Sequence, residues 1–327
     1  MQRFSRGLLC ALPLCLLLPW GSTHARPPII DMHLHARKGD YSGAELPQMC
    51  VPPDANAPCP HPLVAVTSAT QFMRDTLAVM TKRNIIGMVS GEPDTMAAWK
   101  AAAPDRIIVG SDLRILQGTA DGRLKTRTPE ELRALHAAGL LDVIGEVMAQ
   151  YEGIAPSDAR LEPYWALAES LDIPVGIHMG PGGPGDPYNG SPNYRARNSS
   201  ALGLEETLVR HPRLRVYIMH AGYPFIADLR AVLFTHPQVY IDISAIVSGE
   251  PRAAFYRYLQ ELVEAGFGDR VMFGSDPGLW PGVIEASIEA IEQAPFLTPA
   301  QQRAILYDNA ARFLRLSEQT IARHRAM

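Results

Sequence analysis

Cysteine is scarce in this 327-residue chain, with four in all. That excludes a disulfide-built scaffold, because small stapled domains devote a far larger share of their residues to cysteine. Basic runs are lacking too. Thirty Lys and Arg stand against 34 Asp and Glu, for a formal charge of −4. Nucleic acid is therefore not an expected partner, since phosphate binding leaves a clustered cationic footprint. No apolar run reaches the roughly 20 residues that span a bilayer; the longest candidate, Leu8 to Trp20, is broken by Pro13 and Pro19. A stable membrane anchor is not expected. No Gly-rich phosphate loop follows the first strand pattern either, where a doubly wound dinucleotide fold would need one. What is abundant is apolar residue: 47% of the chain, with mean hydropathy −0.03. That is enough for a sizeable core and too much for a disordered protein.

The first 25 residues read as a secretory signal peptide. Arg3 and Arg6 supply a positive start, the apolar run follows, and Thr23-His24-Ala25 offers small residues at the cleavage positions. Cleavage after Ala25 would leave one domain over residues 26–327 with a charge of −4 − 2 = −6. Secreted or periplasmic placement is the expectation. Cys10 and Cys15 would depart with the leader, leaving Cys50 and Cys59 around a proline-rich stretch. In an oxidising compartment that pair is expected to form a disulfide, whereas a zinc site there would have only His61 to add.

From residue 26 onward, short β-branched apolar runs alternate with longer helical patterns. The runs are Pro28–Met32, Ile85–Val89, Ile107–Gly110, Val143–Gly145, Ile173–Ile177, Leu214–Met219, Val239–Ile243 and Val271–Gly274. Helices are expected over Ala69–Lys82, Thr95–Ala102, Pro129–Ala138, Leu161–Leu171, Leu202–Arg210, Pro224–Phe234, Arg252–Ala265, Val283–Ala294 and Pro299–Leu316. Uniformly apolar strands suit a parallel sheet covered on both faces. Eight such strands alternating with helices give an α/β fold, a (β/α)₈ TIM barrel, whose active sites lie at the C-terminal strand ends.

Polar residues collect at those ends. His33-Leu34-His35 follows the first run, Glu146 the fourth, His178 the fifth, His220 the sixth and Asp276 the eighth. His33 and His35, two apart on a strand, point to one side. Each taken singly is an ordinary core or turn residue; five strand ends agreeing in position and chemistry are a metal site. Imidazole and carboxylate donors suit a divalent ion, with zinc expected. His136, His324, His61, His211 and His236 carry no such pattern and are expected to be structural or solvated. Substrate contacts are expected from Arg114 after the third strand, from Tyr194, Arg195 and Arg197 (with Tyr188) in the long loop after the fifth, and from Trp280 after Asp276.

On these residues the chain resembles the amidohydrolase superfamily, from Asp31-Met32-His33-Leu34-His35 through Gly274-Ser275-Asp276. Tyr307-Asp308-Asn309-Ala310-Ala311-Arg312-Phe313-Leu314 is similar to an ending of its amidohydrolase-related branch, which holds decarboxylases and lactonases of unsaturated carboxylates alongside other hydrolases. The resemblance implies His33, His35, His178 and Asp276 as metal ligands, and His220 as a ligand of a second ion or a catalytic group. Where many binuclear members carry a carboxylated lysine after the fourth strand, Gly145-Glu146 stands here, as in the metal-dependent deoxyribonuclease branch. Glu146 is thus a candidate bridge between two ions, and one or two ions are expected. Three readings follow. The first is a hydrolase of a small-molecule ester or lactone, amide or phosphoester, in which Asp276 takes a proton from a metal-bound water and the metal or His220 polarises the scissile carbonyl or phosphoryl group. The second is a metal-dependent decarboxylase of a small unsaturated carboxylate, and the third a barrel that binds metal without turnover.

Overall fold

The computed structural model describes residues 26–41, 46–54, 58–114, 126–180 and 182–327. The leader expected over residues 1–25 lies outside them. Eight parallel strands pair in chain order: β1 (Ile29–His35), β2 (Ile85–Ser90), β3 (Ile107–Leu113), β4 (Val143–Val147), β5 (Val175–His178), β6 (Val216–Met219), β7 (Val239–Asp242) and β8 (Val271–Met272). Beyond β8 the backbone turns back onto β1. The Met32 N–H donates to the Phe273 carbonyl and the Asp276 N–H to the His33 carbonyl, each at 2.9 Å. The sheet thereby becomes a nearly closed TIM barrel.

Apolar residues form two layers. One lies between strands and outer helices; the other fills the barrel, with Ile30, Met32, Ile86, Met88, Val143, Tyr217, Met219 and Met272 closed from below by Tyr307, Ala310 and Phe313. Tyr217 crosses this interior to donate to the Met32 carbonyl at 3.2 Å. Gly176 makes room for it: a Cβ there would lie 2.4 Å from the phenol ring.

Two pairing irregularities aim the polar residues. Along β1 the register with β2 shifts between Asp31 and Leu34, so the inward phase passes from Ile30 and Met32 to His33 and His35. Along β4 a shift between Ile144 and Val147 moves the inward phase from Val143 to Glu146. A bulge converts an alternating strand into one whose end faces the mouth.

The helices follow the sequence pattern with a few departures. The single helix expected over Pro299–Leu316 is present from Pro299 to Phe313: Pro299–Arg303, capped by Thr298, continues through a widened turn at Ala304–Asp308 into Asn309–Phe313. Within the widened turn the Ile305 carbonyl accepts from the Phe273 N–H at 2.9 Å. Leu202–Arg210 also opens as tight turns at Ala201–Leu204 before Glu205–Arg210. Helices at Ile246–Gly249 and Glu318–Ala326 lie outside the expected set. Cys50 and Cys59 are disulfide-bonded, with Cα atoms 5.9 Å apart. Among the described residues no helix is long and apolar enough to cross a membrane.

Candidate metal centre

The six residues singled out at strand ends meet in one place. His33, Glu146, His178 and His220 are buried, and His35 and Asp276 nearly so. The two oxygens of Glu146 face different pairs of imidazoles. Oε2 lies 3.4 Å from His35 Nε2 and 3.7 Å from His33 Nε2, and those two nitrogens are 3.1 Å apart. Oε1 lies 3.3 Å from His220 Nε2 and in short contact with His178 Nδ1, with 3.0 Å between the two nitrogens. Asp276 Oδ1 is 3.9 Å from His35 Nε2, and Asp276 groups with His33 and His220 within 4.8 Å.

These separations fit a divalent ion. Zinc–nitrogen bonds of about 2.0–2.1 Å in a tetrahedron place neighbouring donors about 3.3 Å apart. Imidazole nitrogens aimed at one another also need a proton or a cation between them. The electrostatics agree. Burial disfavours protonation of His33, yet Asp276, Asp242 and Glu146 raise its pKa well above the ordinary value. Burial likewise opposes protonation of His35, but Asp112 and Glu146 lift it to about 9. Burial pushes Glu146 up, and the imidazoles of His178, His220 and His33 hold it well below the usual carboxylate range. Asp276 is lowered in the same way by His33, His35 and His220. His178, buried and beside His220, is held below its usual value despite Glu146. The cluster is thus a set of anionic and basic donors that demands positive charge.

Above the donors opens a cavity of about 330 Å³, lined among others by Arg37, Lys38, Glu92, Asp112, Arg114 and Tyr151. Arg114 Nε and Arg37 Nε are buried without a hydrogen-bond partner among the described residues. The Arg114 guanidinium lies 5.6 Å from the centre of the Tyr151 ring. Arg127 pairs with Glu92 at 2.6 Å and Lys38 with Asp94 at 2.7 Å, whereas among the described cations lining the cavity Arg37 and Arg114 each keep a buried Nε without a partner.

Other expected contacts stand differently. Tyr194 is buried behind Tyr151, ring centres 5.4 Å apart, and its hydroxyl accepts from the Gly182 N–H at 2.8 Å. It braces the wall and does not line the cavity. Arg195 and Arg197 are exposed outside the cavity; Arg195 donates to the Pro192 and Tyr194 carbonyls of its own loop. Tyr188 is 90% exposed. Trp280 donates to the Pro47 carbonyl at 3.1 Å, tying the loop after Asp276 to the segment before the disulfide. His211 bridges Glu162 and Glu169 at 2.7 and 3.2 Å, far from the donors.

Sequence reasoning passed over Asp112, Tyr151, Arg37 and Ser244. Asp112 Oδ1 contacts His35 Nδ1 at 3.2 Å and accepts from the Glu146 N–H at 3.1 Å. Tyr151 Oη lies 3.4 Å from His178 Nε2. Asp112 sits at a strand end, a signal of the kind that picked out Glu146. The other three carry no positional signal.

The profile of the amidohydrolase family matches residues 30–316. The chain belongs to the amidohydrolase family. Among solved structures this family member is similar to a probable 2-pyrone-4,6-dicarboxylic acid hydrolase from Acinetobacter baumannii with citric acid bound (18% identity, 88% of this chain and 99% of that one, TM-score 0.59). It is also similar to a 2,6-dihydroxybenzoate decarboxylase from Rhizobium (15%, 88% and 99%, TM-score 0.56). A third is an amidohydrolase from Burkholderia multivorans with bound zinc (17%, 89% and 100%, TM-score 0.52). At these identities the likeness establishes the shared barrel. No curated protein matches the chain.

Proposed function

We propose that this amidohydrolase-family enzyme is a secreted hydrolase, using two divalent ions to cleave an ester or lactone, amide or phosphoester bond in a small anionic molecule. The observation that carries the reading is Glu146, whose two oxygens face two separate imidazole pairs. A carboxylate so divided is suited to bridging two ions. His33, His35 and Glu146 Oε2 would hold one, and His178, His220 and Glu146 Oε1 the other. Zinc is the proposed metal, on the chemistry of the donors. When bound, such ions supply Lewis acidity to a carbonyl or phosphoryl oxygen and lower the pKa of water.

The chain's own groups do the rest. Asp276, kept ionised by the surrounding imidazoles, accepts the proton of the attacking water. Arg37 and Arg114, with unmet donors at the mouth, hold the substrate's anionic group through charge-assisted hydrogen bonds. The same arginines suit a carboxylate that departs as carbon dioxide, and a decarboxylase stands among the structural neighbours; decarboxylation is the second reading. Export is supported by the Thr23-His24-Ala25 pattern and by the disulfide, a bond that persists in oxidising compartments. The exported chain should begin at Arg26.

Turnover of a panel of lactones, amides and phosphoesters in ¹⁸O-labelled water tests the reading. Hydrolysis leaves one labelled oxygen at the cleaved bond. An active substrate that releases carbon dioxide and takes up a solvent proton at carbon, with no label, would replace hydrolysis by decarboxylation.

A further inference from the structure

Below the donor cluster lie two buried residues that the chemistry above leaves unused: Asp242, the last residue of β7, and Ser244. Asp242 Oδ1 is fixed by the backbone, accepting from the His220 N–H at 3.0 Å and the Ser244 N–H at 2.9 Å. It also accepts from the Ser244 hydroxyl at 2.5 Å. The hydroxyl's one proton is therefore committed to Asp242, and only its lone pairs remain.

Two imidazole nitrogens face those lone pairs. His33 Nδ1 is 2.8 Å from Ser244 Oγ, and His220 Nδ1 is 3.0 Å from it. The next neighbour of each nitrogen is again an acceptor: Asp242 Oδ2 lies 3.3 Å from His33 Nδ1, and the Ser244 carbonyl oxygen 3.1 Å from His220 Nδ1. A nitrogen with acceptors for hydrogen-bonding neighbours carries its hydrogen. In a neutral imidazole the other nitrogen is then a bare lone pair, and a metal requires an unprotonated nitrogen. For both rings that other nitrogen is Nε2, the atom that faces Glu146 and the neighbouring imidazole.

We propose that Ser244, held by Asp242, is a shared positioning residue: one hydroxyl locks His33 and His220 together in the Nδ1–H tautomer, presenting both Nε2 atoms to the metal centre. The inference rests on the reading of His33 and His220 as metal-holding residues. His35 and His178 are oriented separately, His35 Nδ1 by Asp112 and His178 Nε2 by Tyr151. Ser244 is thus a single point at which one imidazole of each proposed donor set is controlled.

The test uses the full-length protein with ¹⁵N-labelled histidine, loaded with zinc, read by long-range ¹H–¹⁵N correlation and by zinc competition. The wild type should show Nδ1–H signals for both His33 and His220. Ser244→Ala should keep its fold by circular dichroism, lose protection of those two hydrogens, and bind zinc about 10- to 100-fold more weakly, the usual cost of removing a partner behind a metal-ligating imidazole. Asp242→Asn supplies a second, signed outcome. Its amide oxygen must take the Oδ1 position facing two backbone N–H groups, which puts the NH₂ against His33 Nδ1 and turns that ring to the Nε2–H tautomer. A merely structural role would not invert one named tautomer. Nε2–H signals in either wild-type ring, or a Ser244→Ala protein with unchanged zinc affinity and unchanged Nδ1–H protection, would overturn the proposal. The metal reading fails separately: it fails if His33→Ala retains full zinc affinity, whereas loss of zinc in His33→Ala but not in Ser244→Ala condemns only the role of Ser244.

Discussion

A carboxylate shared between two pairs of imidazoles makes a graded prediction at the scale of single residues. Glu146→Gln replaces one oxygen with an NH₂ that cannot ligate, so on the two-ion reading metal analysis should find about one ion per chain in the variant against two in the wild type. His178→Ala should lower metal content and activity together in a protein that still folds, because the barrel core lies apart from the site. Unchanged stoichiometry in both variants would leave the cluster as a hydrogen-bond network. The arginines are proposed to hold the substrate. Removing one charge-assisted contact in Arg37→Ala or Arg114→Ala should raise KM by about 10- to 100-fold, corresponding to about 1.5–3 kcal/mol, and steady-state kinetics on an anionic substrate checks this. His33, His35, Glu146, His178, His220 and Asp276 were readable in the sequence because each ends an apolar run, so position and chemistry coincide. Ser244 and Tyr151 were not. A serine two residues beyond a strand and a tyrosine within a turn look like any others until the fold brings them against His33, His220 and His178.

At the scale of elements, all eight strands were legible because burial on both faces leaves them almost purely apolar. The C-terminal helix was legible as well, though its widened turn was not. Its pattern reads as one regular helix, whereas the turn at Ala304–Asp308 is widened, and the Ile305 carbonyl there accepts from the Phe273 N–H; tertiary contact of that kind adjusts local geometry. The final helix, Glu318–Ala326, was hidden by its polarity; its buried residue is His324. The Tyr307 hydroxyl and His324 Nδ1 share a hydrogen bond of 3.0 Å, and the His324 carbonyl accepts from Asn84 at 3.1 Å. Burial, with Arg323 and Arg106 nearby, holds His324 below its ordinary pKa. The folded state therefore binds fewer protons than the unfolded one below pH about 6.5, so this docking is fully present above that pH and weakens as pH falls through the lowered value. Hydrogen exchange in residues 318–326, corrected for intrinsic rate, should quicken between pH 7 and pH 5. His324→Leu should remove the dependence. Equal wild-type exchange at both pH values would show that the helix is held by other contacts.

For the whole molecule, donors drawn from five different strands couple metal occupancy to the integrity of the barrel. An ion bound by the folded chain and not by the unfolded one stabilises by about 2.7 kcal/mol when free metal exceeds its Kd a hundredfold. Thermal unfolding with zinc and with a chelator should then differ by roughly 5 °C or more, and His33→Ala, which removes a donor from one of the two proposed sites, should shrink the difference. Equal midpoints in the wild type would mean that no ion is held by the native state.

The contact between β1 and the turn beyond β8 has a temporal consequence. Ser275 donates to Asp31 through its hydroxyl at 2.6 Å and its N–H at 3.0 Å, joining positions 244 apart in the chain. Closing so long a loop is among the slowest contacts a folding chain can make. On a ribosome Asp31 emerges early and waits for almost the entire polypeptide before its partner appears. Until then Asp276 is not in place, and the first-made histidines lie at the rim of an open sheet. Final assembly of the candidate metal centre therefore waits until most of the chain has been made, and a nascent chain arrested before residue 275 would lack both this closure and Asp276.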